Sequence, residues 1–74
     1  MTEKIIELIR ELRPYEEIVQ DTELIKSGIL DSLAVFGLAV QLENEFDIVI
    51  ADDAITAENF SSVHKIMKLV KESH

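Results

Sequence analysis

Gly28-Ile29-Leu30-Asp31-Ser32-Leu33-Ala34-Val35-Phe36-Gly37 marks the point where a loop ends and the longest apolar-periodic segment of the chain begins. From there Val35, Leu38, Ala39, Leu42 and Phe46 recur at the i, i+3, i+4, i+7 spacing of one helical face, which predicts a helix from roughly Ser32 to Phe46. Asp31 is its natural N-cap. Ser32 then falls in the first turn, its hydroxyl presented outward beside backbone N–H groups that have no partner within the helix. Those donors and the positive end of the helix dipole favour a phosphate on or beside that hydroxyl. Asp and Ser are also frequent at helix starts for structural reasons alone, so on this tripeptide by itself an N-cap with no further duty is the plainer account.

The same helix is apolar on two sides. At about 100° per residue, Leu33, Phe36, Gly37 and Val40 cluster opposite the stripe named above. In so small a protein one face is expected to be exposed, and an apolar strip beside Ser32 reads as a docking surface for a partner. The competing reading is that the preceding loop covers the strip through Ile29 or Leu30. Gly37, which costs up to about 1 kcal/mol relative to alanine in a helix interior, permits close approach of either.

Outward from this segment, Ile5, Leu8, Ile9 and Leu12 form an apolar stripe that predicts a first helix over roughly residues 3 to 13, capped by Thr2 and stopped by Pro14. Between Pro14 and Asp31 no period is sustained, yet Ile18, Val19, Leu24, Ile25, Ile29 and Leu30 are too many apolar residues for a free linker, so this loop must lie on the core. Asp21 or Thr22 could cap a single turn through Lys26, and Gly28 tolerates a positive φ. After Phe46 the β-branched run Ile48-Val49-Ile50 has no second strand to pair with and is read as an extended connector plugging the core. Asp52 and Asp53 begin a short helical turn, and Ser61 or Ser62 caps a last helix to about residue 72 with the stripe Val63, Ile66, Met67 and Val70. The expected core is Ile9, Leu12, Leu38, Leu42, Phe46, Ile66 and Val70. Asp47, Asp52, Asp53 and Glu58 lack calcium-loop spacing, and His64 and His74 lack partner carboxylates, so no metal site is expected.

The sequence has 74 residues, enough for one domain, residues 1–74, near the lower limit for independent folding. A hydrophobic fraction of 47%, with one tyrosine, three phenylalanines and no tryptophan, fits an aliphatic core between helices. The net charge of −8 repels phosphate backbones and anionic lipid, which disfavours nucleic acid and membrane partners, and attracts proteins with basic patches. There is no cysteine, so any thiol chemistry must come from a cofactor. The N-terminal residues interrupt their apolar positions with charge, and a soluble, cytoplasmic, monomeric protein is expected.

Leu24 to Leu33 resembles the attachment segment of acyl and peptidyl carrier proteins, and Leu42 to Ile50 resembles the helix end and loop that follow it. The resemblance implies an all-α fold, a small bundle of three main helices plus a short helical turn, acyl-carrier-protein-like. It also implies that Ser32, in the motif Asp31-Ser32-Leu33, is the covalent attachment point of a 4'-phosphopantetheine arm placed there from coenzyme A by a phosphopantetheinyl transferase. A carrier of this kind is no enzyme. It holds an acyl or aminoacyl group as a thioester on the arm and delivers it between pathway enzymes, the tether raising the local concentration of the cargo.

Fatty-acid carriers typically line the exposed side of this helix with acids, whereas this chain has Ala34, Gly37 and Val40 there and keeps chiefly Glu43. The resemblance therefore favours a stand-alone carrier of aminoacyl, peptidyl or polyketide-type biosynthesis, served by an adenylating ligase or synthase that docks on Leu33, Phe36, Gly37, Val40 and Glu43. The alternatives are a housekeeping fatty-acid carrier and a carrier-like interaction module lacking the arm. A small independent enzyme is disfavoured because acid, base and nucleophile are not clustered.

Overall fold

The computed structural model describes residues 1–73, so His74 lies outside it. Helix α1 spans Thr2–Leu12, α2 Ser32–Phe46 and α3 Val63–Glu72, with a 3-10 turn at Asp52–Ala54 and no strand among the described residues. Both α2 and α3 pack against α1. The expected all-α bundle of three helices and a short turn is the architecture observed.

The stripes of the helices meet in one apolar cluster. Ile5, Leu8 and Ile9 of α1, Val35, Leu38, Ala39 and Leu42 of α2, and Val63, Ile66, Leu69 and Val70 of α3 are buried, while Leu12, Phe46 and Met67 are only half-buried at its edge. The connecting segments complete this core with Ile18, Leu24, Ile29, Leu30, Ile50 and Phe60. Among the described residues no polar or charged residue is buried with them.

Helix boundaries depart from the periodic reading in ways that have local causes. Thr2 does not cap α1: Met1 occupies that position, and the Thr2 hydroxyl donates instead to Met67 Sδ at 2.9 Å, tying the start of α1 to α3. Arg13 has left the helix and turns its guanidinium back onto the Leu12 carbonyl. In the long loop Thr22 Oγ1 accepts from the Val19 amide, so it closes a turn behind itself rather than capping one ahead. At α3 it is Ser62 that caps, accepting from the Lys65 amide, whereas the Ser61 hydroxyl donates to the Glu58 carbonyl. The extended connector is present as expected, with Ile50 buried and Val49 70% exposed on the opposite side.

Lys4 reaches Glu7 on its own helix at 3.3 Å and Glu45 of α2 at 3.9 Å, and the Glu7 contact first, then the Glu45 charge, hold its ammonium above the ordinary lysine range. These side chains are solvated, so the ties orient the helix pair more than they stabilise it.

α2 ends at Asp47, a left-handed residue with φ 55° whose amide returns to the Glu43 carbonyl. A side chain with a Cβ is disfavoured in this conformation, and a carboxylate at a helix C-terminus also opposes the dipole. Asp47→Gly should therefore raise stability by about 0.5–1 kcal/mol, seen as an upward shift in thermal melting.

Candidate functional site

The loop before α2 is shaped by its own backbone. The Leu24 amide donates to the Ser61 carbonyl at 2.9 Å, which fastens the loop to the segment before α3, and the Leu30 amide returns to the Leu24 carbonyl at 2.9 Å. Between these points Gly28 adopts φ 83°, a left-handed conformation that glycine enters without strain. The resulting turn buries Ile29 and Leu30 and brings the chain into α2 through Asp31, which is extended at φ −104° and ψ −177°.

Asp31 caps α2 as the sequence predicts. Its Oδ1 accepts from the Ala34 amide at 2.8 Å, and its carbonyl accepts the first intrahelical bond from Val35. That arrangement leaves the amides of the first two helical residues directed at the space around Ser32. Ser32 is exposed, and the first turn itself holds no acidic residue, the Asp31 carboxylate being turned onto the Ala34 amide. The serines before α3 differ: the hydroxyls of Ser61 and Ser62 are engaged with the chain's own backbone.

Beside Ser32 lies a cleft of about 260 Å³. Asp31 and Ser32 form one edge, and Ile25, Leu30, Val35, Phe36, Ile55 and Ala57 supply apolar walls. Ile25, Ile55 and Ala57 come from aperiodic segments and carry no local signal of convergence in the sequence. An exposed hydroxyl at a helix N-terminus, adjoining an apolar cleft, suits a phosphate ester with an aliphatic continuation.

The second face of α2 is open. Leu33 is 83% exposed and Phe36 and Val40 are each 55% exposed, and beyond its two chain neighbours and the adjoining helix backbone nothing lies within 4 Å of the position a Cβ on Gly37 would take. The loop does not cover this strip, because Ile29 and Leu30 turn into the core instead. Glu43 is placed differently from the sequence expectation: it is half-buried, and its carboxylate accepts from the Ile50 amide at 2.8 Å, holding the connector against α2. Val40→Asn, at an exposed helical site, should change stability by no more than about 0.5 kcal/mol, so its melting curve should nearly overlay the parent's. A marked fall would mean that the side chain is buried.

Among the described residues no three His, Cys, Asp or Glu side chains are grouped so as to hold a metal ion, and no helix is long and apolar enough to cross a membrane. His64 is exposed, with Nδ1 3.3 Å from Gln20 Nε2.

Residues 3–70 match the family described as phosphopantetheine attachment site. Curated relatives include the D-alanyl carrier protein of Lactococcus lactis subsp. cremoris (strain MG1363), 32% identical over 74 residues that cover 97% of this chain and 94% of the relative. That of Streptococcus sanguinis (strain SK36) is 34% identical over 93% of this chain and 89% of its own length. That of Streptococcus uberis (strain ATCC BAA-854 / 0140J) is 39% identical over 73% of this chain and 68% of its own length. No solved structure gives a significant match. With a family match that spans all three helices and relatives of nearly the same extent, the chain belongs to the phosphopantetheine-binding carrier proteins.

Proposed function

We propose that Ser32 is the attachment residue and that the chain is a single-domain, stand-alone carrier of a D-alanyl group. The observation that carries this reading is the exposed Ser32 hydroxyl at the start of α2, beside an apolar cleft and at the end of an uncharged helical face. The relatives named D-alanyl carrier proteins supply the cargo class. In the attachment step the Ser32 oxygen forms the new bond to phosphorus while the diphosphate of coenzyme A is cleaved. Adenosine bisphosphate leaves, and the hydroxyl proton passes to the phosphopantetheinyl transferase. Once attached, the arm supplies a terminal thiol that holds the cargo as a thioester.

The chain's own residues then position rather than catalyse. Asp31 fixes the start of α2 and with it the direction in which Ser32 points. The first-turn amides and the dipole stabilise the phosphodiester charge. Leu33, Phe36, Gly37 and Val40 offer the surface on which an adenylating ligase docks. The absence of acid among these four residues disfavours the fatty-acid carrier reading, which relies on charge at the corresponding face. The chain is a cytoplasmic monomer that meets its enzymes briefly, steered by its acidic field.

The test is cargo loading. Protein carrying the arm is incubated with ATP, D-alanine and the adenylating ligase that serves the Lactococcus lactis carrier, and intact mass is followed. A gain of one alanyl group, lost on mild hydroxylamine treatment, is the expected result; no gain with D-alanine alongside efficient acylation by a fatty-acyl synthetase would overturn the cargo assignment.

A further inference from the structure

We propose that Met67 is a site of reversible oxidation, and that conversion of its thioether to the sulfoxide by a peroxide releases the first turn of α1 from α3. This chemistry is independent of the cargo and of any docking partner.

The Thr2 hydroxyl donates to Met67 Sδ at 2.9 Å, joining residues 65 positions apart. Among the described residues it is the only side-chain hydrogen bond or ion pair between α1 and α3, since Lys4 reaches Glu7 on its own helix and Glu45 on α2. The turn it holds has little else to secure it. No side chain caps the start of α1, where Met1 stands at the cap position, and uncapped helix ends open before the interior does.

Met67 is half-buried at the edge of the core, within reach of a small oxidant. The chain has no cysteine, so before the arm is attached no thiol competes, and the other sulfur is that of Met1, 53% exposed. With hydrogen peroxide, a sulfur lone pair attacks one peroxide oxygen and the S–O bond forms as the O–O bond breaks. The departing hydroxide takes the proton of the transferred oxygen and leaves as water, sulfur having lost the two electrons that the peroxide gains.

Both faces of the sulfur lead to the same end. Oxygen added toward Thr2 displaces the hydroxyl, because a hydrogen bond to that oxygen alone needs about 2.7 Å and only 2.9 Å now separates the hydroxyl from sulfur. Oxygen added on the other lone pair leaves an electron-poor sulfur that no longer serves as an acceptor, and sets a polar group against an apolar cluster. Ile5, Leu8 and Ile9 keep the body of α1 in the core, so the opening is confined to its first turn. Reduction of the sulfoxide restores the tie.

The experiment treats the arm-free protein with hydrogen peroxide, maps each sulfoxide by peptide mass, and follows hydrogen exchange at the amides of Ile5 to Leu8, which close the first turn of α1. Protein oxidised at Met67 should exchange these amides about tenfold or more faster than the untreated parent, and methionine sulfoxide reductases for both epimers should return the original rate. Met67→Leu, which keeps the bulk and loses the sulfur, should exchange at the same rate before and after treatment. Thr2→Val, which keeps the sulfur and loses the donor, should exchange fast without any oxidant. Met67 left unmodified when Met1 is fully oxidised would overturn the site. Unchanged exchange in the Met67 sulfoxide, or parent-like exchange in Thr2→Val, would overturn the coupling to α1.

Discussion

Phe60→Ala should destabilise the protein by about 3–5 kcal/mol, the cost of emptying a site filled by a large buried aromatic ring. Phe60 has no accessible surface and heads the fully buried side chains by volume. It lies in the turn after the 3-10 segment, where its amide donates to the Thr56 carbonyl at 3.1 Å, and it shares one cluster with residues of all three helices. A chain of this length has a total stability of about 4–11 kcal/mol at typical values per residue, so a loss of this size removes a large part of it. The melting temperature should fall by more than about 10 °C, and far-ultraviolet circular dichroism on heating measures it directly. Phe36→Ala serves as the contrast, since that ring is half exposed on the open face of α2 and should cost far less. Equal melting of Phe60→Ala and the parent would contradict the described core.

The fold is legible in the sequence wherever a helix announces itself by both a cap and a stripe. α2 is found at its full extent because Asp31 caps it and Val35, Leu38, Ala39 and Leu42 repeat along one face. α1 and α3 are found but displaced at their ends. Thr2 looks like a cap until Met67, distant in sequence, takes its hydroxyl, and Ser61 competes with Ser62 until the Glu58 carbonyl engages it. Phe60 is missed as core because it sits in an aperiodic segment, where burial is decided by how the bundle closes and not by any local period. Leu69 is likewise missed, since the apolar stripe read from the sequence takes Met67, which is only half-buried, in its place.

The site divides in the same way. Asp31 and Ser32 are legible because capping chemistry is local, and the two apolar faces of α2 are legible because both have a period. Exposure of Leu33, Phe36 and Val40 is not, since it depends on where the loop carrying Ile29 and Leu30 goes. The cleft is invisible at the sequence level: Ile25, Ile55 and Ala57 reach it from segments on either side of α2. Glu43 looks like a docking acid on a helical wheel, and only the return of the chain brings the Ile50 amide to its carboxylate.

Ser32→Ala should leave the fold intact and abolish attachment of the arm. The residue is exposed at the first helical position, alanine is at least as good a helix former, and the cap is provided by Asp31, so melting should change by little. Function should change completely, because the hydroxyl oxygen is the only atom the variant removes and is the atom proposed to bond phosphorus. Ser27→Ala, which removes another exposed hydroxyl a few residues away, should be modified like the parent. The most direct measurement is intact mass after incubation with coenzyme A and a broad-specificity phosphopantetheinyl transferase, followed by peptide mapping of the modified residue. The parent and Ser27→Ala should each gain one phosphopantetheinyl group located on Ser32, and Ser32→Ala should gain none; a gain by folded Ser32→Ala, or a parent modified at Ser27, Ser61 or Ser62, would contradict the assignment.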